Sequence, residues 1–223
     1  MNTQHLTRQL DIVPEEKLRT RITIIGAGAI GSFTALSLAK MGFKDITVYD
    51  DDTVDAENMN SQFYPLHMIG RSKVQALREV VEMFTGTQIK PKEERIDDTS
   101  LIRGNIAISA VDSMKARDTI SKQCASTWLI DGRMGAEYIS LHSVYLPDTE
   151  QVDNYKRSLY SDEEAIQERC TAKSTMYTVN LIAGLIGKTV KDIVTDQKPI
   201  TTLDWSVIEN SAVWFSGNKK LTM

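Results

Sequence analysis

Arg21-Ile-Thr-Ile-Ile25-Gly26-Ala-Gly28-Ala-Ile-Gly31 is the stretch that decides the fold. Its first five residues are β-branched in four positions, and so short a run reads as a buried parallel strand. The glycines follow with the G-x-G-x-x-G spacing of a nucleotide loop. Ser32 to Met41 shows helical spacing through Phe33, Leu36, Leu38 and Met41, and Gly42 closes the helix. Asp45 to Asp50 reads as a second strand that ends on a carboxylate. Gly26 permits the tight turn, Gly28 lets backbone approach a phosphate, and Gly31 lets helix and strand pack closely. The helix N-terminus offers free N–H groups and a partial positive charge to an anion. Asp50, at the tip of the second strand, is placed to accept hydrogen bonds from ribose hydroxyls. Glycines at this spacing also serve plain helix–sheet packing. The strand before them, the helix after them and the terminal acid favour a nucleotide site, whose nucleotide this stretch alone leaves open.

A chain of 223 residues fits one α/β domain with an added element. The division expected is an N-terminal arm over 1–20 and a single nucleotide-binding domain over 21–223. The net charge of −4 leaves no broad basic face for nucleic acid. No apolar run reaches about 18 residues and the N-terminus lacks a signal peptide's apolar centre. A soluble, cytoplasmic protein with no membrane partner is therefore expected. Cys124 and Cys170 are too few for a disulfide framework, and without a C-x-x-C a cysteine-ligated zinc site is excluded. His5, His67 and His142 are scattered and read as ordinary surface or packing residues.

Along the chain, Pro14-Glu-Glu-Lys17 opens a short helix, with proline at an allowed early position, and Thr7 to Leu10 reads as a solvated arm. Five acids crowd Asp50 to Glu57 and repel one another unless something cationic lies near. Ser72 to Phe84 is an amphipathic helix through Val74, Leu77, Val80, Val81 and Phe84. Lys73 in its first turn opposes the helix dipole, a cost that a nearby anion removes. Ile89 to Ile96 reads as an edge strand carrying Pro91. Asn105 to Val111 is a buried strand ending at Asp112. Ser113 to Cys124 has helical character with Arg117 and Asp118 on its polar face, and Cys124 reads as a small buried hydrophobe. Thr127 to Ile130 is a further strand, closed by Asp131-Gly132. Acids at two strand tips, Asp50 and Asp112, suit a crevice at the carboxyl edge of a parallel sheet.

After Gly135 the pattern changes. Glu137 to Leu146 alternates as antiparallel strand, and Asp148 to Arg169, with seven acids, reads as loop or a weakly ordered crossing segment. Met176 to Val194 is an apolar helix whose Gly184 and Gly187 suggest close packing against another backbone. Leu203 to Ile208 and Ala212 to Phe215 form a hairpin with Glu209-Asn210 near its turn. The fold class is α/β: a Rossmann-like, doubly wound, mostly parallel sheet with antiparallel C-terminal strands.

From Arg8 to about Val194 the chain resembles the ThiF/MoeB and ubiquitin-activating family of adenylating enzymes. The resemblance rests on Asp50-Asp-Asp52-Thr-Val54-Asp-Ala-Glu-Asn58-Met-Asn-Ser61-Gln62, then Gly70-Arg-Ser-Lys73, then Ser109-Ala-Val-Asp112-Ser-Met-Lys-Ala-Arg117, with Thr7-Arg8-Gln9 like the family's S-R-Q opening. It implies ATP-dependent activation of the C-terminal glycine of a small ubiquitin-like or sulfur-carrier protein. Gly26, Gly28, Gly31, Asp52 and Gln62 would frame the ATP, and Asp50 would hold its ribose. Asn58 and Lys73 would meet the phosphates, and Asp112 would hold Mg²⁺. Arg8 would reach the ATP of the other subunit, which implies a homodimer or a heterodimer with a related chain. A lysine and Mg²⁺ suit this chemistry, because carboxylate attack on phosphorus brings two anions together.

Three departures stand out. Ser61 occupies the family's arginine position, which leaves a weakened enzyme, a replacement by Arg8, Arg71 or a partner's arginine, or a non-catalytic partner subunit as readings. The zinc cysteines of many relatives are missing, as are a separate catalytic-cysteine domain and a ubiquitin-like tail domain. Cys170-Thr171 resembles the reactive cysteine pair of ubiquitin-type relatives. Arg169, Lys173 and the helix start would lower the thiol pKa, while a buried structural cysteine is the alternative. An NAD-dependent oxidoreductase shares the glycine loop but leaves Lys73 and Asp112 without a role.

Overall fold

A computed structural model describes residues 6–159, 175–216 and 219–222. The chain runs β1 (Arg21–Ile25), α1 (Ala29–Lys40), β2 (Asp45–Tyr49), α2 (Lys73–Thr85), β3 (Lys90–Lys92), β4 (Ile106–Ser109), α3 (Met114–Gln123), β5 (Trp128–Gly135), β6 (Tyr138–Tyr145), α4 (Thr149–Arg157), α5 (Met176–Val194), β7 (Thr202–Ser206), β8 (Ser211–Ser216) and β9 (Lys219–Thr222). One nine-stranded sheet has the order β3-β2-β1-β4-β5-β6-β7-β8-β9. Its first five strands pair in parallel, and from β5 onward every pairing is antiparallel. The Rossmann-like expectation holds. The order reverses between β1 and β4, so a crevice opens where their carboxyl ends diverge.

Strand alternation sorts the core into two layers. Ile22 and Ile24 of β1, Ile106 and Ile108 of β4 and Ile130 of β5 face α1, α2 and α5. Ile25, Ala107 and Leu129 face the other way, toward Ile120 of α3 and Tyr155 of α4. The 1–20 arm is not simply solvated: Leu6, Val13 and Leu18 are buried in the larger layer, while Thr7 and Arg8 are exposed. Gln9 donates its amide N–H to the Met41 carbonyl at the end of α1.

Five expectations change. The polar stretch after Pro147 starts with a helix, because Asp148 caps it by accepting from Glu150 N (3.0 Å) and Gln151 N (3.2 Å). Val152, Tyr155 and Leu159 then supply enough apolar contact to hold it on the sheet. β5 does not stop at Ile130 but continues to Gly135, and the edge strand shrinks to Lys90–Lys92. Arg117 is not on a solvated face; it is 4% exposed. Gly184 faces open space, and a Cβ on Gly187 would meet the Met41 sulfur at 3.4 Å, so neither glycine contacts another backbone. Cys170 lies outside the described residues. No described helix is long and apolar enough to cross a membrane.

Candidate functional site

The glycine loop is built as its spacing implies. Gly26 sits at φ +96°, and a Cβ there would lie 2.6 Å from the Ala110 carbonyl oxygen at the end of β4. A Cβ on Gly31 would fall 1.8 Å from the Gly26 oxygen, so glycine is required for α1 to start this close to the loop. Gly28 caps α1, and the nearest atom to a Cβ built on it is Gln62 Nε2 at 3.9 Å, which leaves its open side to a ligand. Asp50 braces the loop from the tip of β2. Its Oδ2 accepts from Ala27 N at 2.7 Å and its Oδ1 from Asp52 N at 2.9 Å. Tyr64 supports the loop from below, donating to the Ala27 carbonyl at 2.5 Å, and burial beside Asp50 raises its phenol pKa.

Lys73 opens α2, and its anions are at hand. Its Nζ lies 2.8 Å from Asp52 Oδ2 and 4.0 Å from Asp50 Oδ1. The Lys73 side chain is 9% exposed, whereas Asp52 is 63% exposed. The lysine is thus a buried cation held by a carboxylate that can rotate into water, a partner readily exchanged for a phosphate. The pairing also explains why a cation stands in a first helical turn. One oxygen each from Asp50, Asp51 and Asp52 lies within 4.8 Å of the others.

These groups line an open cleft of about 2100 Å³. Ordinary ligand pockets measure about 300–1,000 Å³, so the space exceeds one nucleotide. Gly26, Gly28, Asp50, Asp52, Asn58, Gln62, Lys73 and Asp112 all border it; Gly31 lies beneath the loop, and Arg8 lies outside it, exposed. Asp112 is exposed, and among the described residues no hydrogen bond or ion pair engages its side chain. Ser61, at 4% exposure, lines the same wall, as does Gln62 at 8%. Gln62 Oε1 is buried and has no partner among the described residues. Arg71 is paired to Glu79 through both of its terminal nitrogens and does not border the cleft.

The far arm of the cleft holds residues to which the sequence assigns no role, although Arg117 closes one of its motifs. Arg95 stands at the mouth, 3.7 Å from Asp51. Arg133 and His142 lie on β5 and β6, and Arg117 enters from α3. Asp131, wholly buried, accepts from Arg117, from Arg133 Nε at 2.7 Å and from Tyr155 OH at 3.1 Å. Burial alone would raise the Asp131 carboxyl, but the two guanidiniums outweigh it and hold the pKa below the ordinary range. Burial, then Arg133, lowers His142 to about 4 against the opposing pull of Asp131 and Asp204. His142 is therefore neutral at pH 7. The cue available was D-G-R after a buried strand; nothing local announced that its two charges turn inward.

A model of the ThiF family matches residues 6–211. The chain is 32% identical over 147 residues to ubiquitin-like modifier-activating enzyme 5 of Gallus gallus, covering 56% of this chain and 37% of that protein. It is 34% identical over 106 residues to the NEDD8-activating enzyme E1 catalytic subunit of Arabidopsis thaliana, covering 45% of this chain and 23% of that protein. The match thus takes in well under half the length of either relative. Among solved structures, E. coli MccB with ATP gives a TM-score of 0.71 at 14% identity, over 100% of this chain and 71% of that chain. E. coli tRNA N6-threonylcarbamoyladenosine dehydratase, TcdA, gives 0.66 at 16% identity, over 87% and 95%. At these identities the structural likeness shows the fold.

Proposed function

The chain belongs to the ThiF family, and on that footing we propose that it activates the C-terminal glycine of a small ubiquitin-like or sulfur-carrier protein by adenylation with ATP. A terminal carboxylate oxygen attacks the α-phosphorus, the bond from that phosphorus to the bridging oxygen breaks, and pyrophosphate leaves with the electron pair. The product is an acyl adenylate, and no oxidant or reductant takes part. The observation that carries the reading is Lys73: a nine-tenths buried cation beside the glycine loop, paired to an exposed and exchangeable carboxylate. Hydride transfer to a dinucleotide has no task for such a group, whereas attack of one anion on another needs it.

In this reading the Gly28–Ala29 turn and the α1 N-terminus receive phosphate. Asp50 keeps lone pairs for ribose hydroxyls beyond the two backbone donors it already accepts. The Gln62 oxygen, unpartnered among the described residues, and Asn58 complete the nucleotide wall. Asp112, its carboxylate unengaged among the described residues, borders the cleft, suits a hard, oxygen-seeking cation and is the residue that would hold Mg²⁺. That ion would supply charge neutralisation to the phosphates. Arg8, exposed and off its own chain's cleft, can serve a phosphate only across a subunit boundary. The working unit is accordingly a dimer.

The test is ATP–pyrophosphate exchange with a candidate carrier ending in Gly-Gly, for the wild type, Lys73→Ala and Asp112→Ala. Exchange in the wild type and its loss in both variants is expected. Absence of exchange with a verified carrier, or NAD affinity matching ATP affinity by calorimetry, would sink the proposal. A monomer by light scattering with ATP present would remove the role given to Arg8.

Buried Ser61 favours a second reading, a nucleotide-binding partner of an active subunit. A missing arginine can be worth roughly 10³–10⁵ in rate in phosphoryl transfer. Exchange that appears only on Ser61→Arg would select this second reading. A thioester or persulfide step at Cys170 rests on sequence resemblance alone, since that residue lies outside the described residues.

A further inference from the structure

The Arg117–Asp131–Arg133 group leaves a charge over. Two guanidiniums, 4% and 9% exposed, share one fully buried carboxylate, so the group carries a net positive charge of one inside the protein. Asp204 of β7, another acid lining the cleft, accepts from Tyr138 OH at 2.8 Å, and no ion pair joins it to either arginine. Buried ions are stable when paired and hydrogen-bonded, and an excess charge calls for a counter-ion.

The donors are also incompletely used. Arg133 spends Nε on Asp131 (2.7 Å), Nη1 on the Ser158 carbonyl (2.9 Å) and Nη2 on Ser158 Oγ (2.9 Å). A guanidinium has five N–H donors in a fixed fork; with Asp131, Ser158 and Tyr155 as its side-chain and carbonyl partners, one terminal hydrogen is left over among the described residues. Arg117 bonds Asp131 and the carbonyls of Gly132 and Val111, while its Nε is buried without a partner. Both arginines line the cleft, beside Ser140 and His142, which are 5% and 8% exposed and bonded to each other at 3.1 Å. The bond from Arg117 to the Val111 carbonyl puts this group one residue from Asp112.

We propose that Arg133, backed by Asp131 and Arg117, is a carboxylate subsite that seats the C-terminal carboxylate of the acceptor polypeptide in the cleft beside the nucleotide. The inference rests on the adenylation reading and supplies what that reading lacks, a group that binds the nucleophile. With Ser158 on the converging pair of donors, the spare terminal hydrogen and the excess positive charge hold a carboxylate through a single charge-assisted bond. Asp131 fixes the fork's orientation and keeps the excess at one charge, so the acceptor is held without the grip that two free guanidiniums would exert. Neutral His142 leaves that charge unaltered at pH 7.

The experiment measures binding of a short peptide ending in Gly-Gly, as free carboxylate and as C-terminal amide, to the full chain and to its Arg133→Gln and Arg133→Lys variants. ATP affinity is followed in parallel. Wild type is expected to prefer the free carboxylate by about ten- to a hundredfold, the range for a hydrogen bond to a charged group. Arg133→Gln should erase that preference with ATP affinity unchanged. If Arg133→Gln fails to fold, Arg133→Lys keeps the charge, loses the fork and should retain only part of the preference. In exchange assays with a full carrier, the loss should appear in KM for the carrier and not in KM for ATP. Equal wild-type affinity for acid and amide, or full preference retained in a folded variant, overturns the subsite. Failure to bind ATP would instead remove the adenylation reading, and the peptide comparison would still judge the subsite by itself.

Discussion

Replacing His142 by glutamine should flatten the acid side of the protein's stability profile. His142 is 8% exposed, opposite Asp131 in the β5–β6 register, and packs edge-on against Tyr155 at 5.9 Å between ring centroids. Burial first, then Arg133, holds its folded pKa near 4, against 6.5 for the free side chain. Between those values the unfolded chain binds a proton that the folded chain refuses. Stability therefore rises with pH across that window and is lost as pH falls through it. Each step of one in pKa is worth about 1.36 kcal/mol, so the whole passage from pH 6.5 to 4 costs about 3 kcal/mol. That is a large part of the roughly 5–15 kcal/mol that holds a domain together. Glutamine keeps a polar group near Ser140 and cannot take the proton. Urea unfolding of both proteins at pH 7, 6, 5 and 4 provides the assay. Carboxylate titrations are common to both proteins and cancel in the difference. The wild type should lose about 3 kcal/mol more than His142→Gln over the series. Parallel curves would show that His142 titrates as a free imidazole and that the cluster's positive field is not as described.

Three further outcomes follow from the geometry. Gly31→Ala puts a Cβ 1.8 Å from the Gly26 oxygen, and relieving a backbone clash of that kind costs about 3 kcal/mol; melting should fall by about 6–12 °C, and an unchanged midpoint would show that the loop relaxes freely. Tyr155→Phe deletes the 3.1 Å bond to buried Asp131 and should cost about 2 kcal/mol, measured by denaturant unfolding, with no loss expected if water takes the hydroxyl's place. Lys73→Met should abolish exchange while leaving the melting midpoint within a few degrees, because Asp52, 63% exposed, is free to hydrate; a collapse in stability would make Lys73 a structural ion pair first.

The glycine loop was legible because everything that defines it is local. Strand, turn, helix start and terminal acid lie within about thirty residues, and Gly31 meets the Gly26 backbone that the same motif supplies. Lys73 was legible for a similar reason: a cation in a first helical turn is an anomaly that asks for an anion, and five acids stood just upstream. α4 was missed because helical content was judged by apolar density. Val152, Tyr155 and Leu159 are sparse in a run of charges, and only the Asp148 cap and the sheet beneath make them sufficient.

The arginine group was illegible for a different reason, and the cause lies in how buried charge is stabilised. Asp131-Gly132 reads as a strand stop because an isolated aspartate is costly inside a sheet. It continues as strand because Arg117, fourteen residues earlier on another element, and Arg133, two residues later on the same face, both reach it. Neither arginine is explicable without the carboxylate, and the carboxylate is not explicable without both arginines. Local pattern assigns each residue to solvent separately, and only the closed sheet brings them together. Once together they do more than cancel. Asp131 cannot neutralise two cations, so the fold ends with a positive charge of one where β5 runs past the carboxyl end of β4, one residue from Asp112. Under the proposed adenylation, in which an anion must approach a triphosphate, a fixed positive charge there would lower the cost of bringing the second anion in. The charge that the strand pattern could not place is thus the one the proposed chemistry can use.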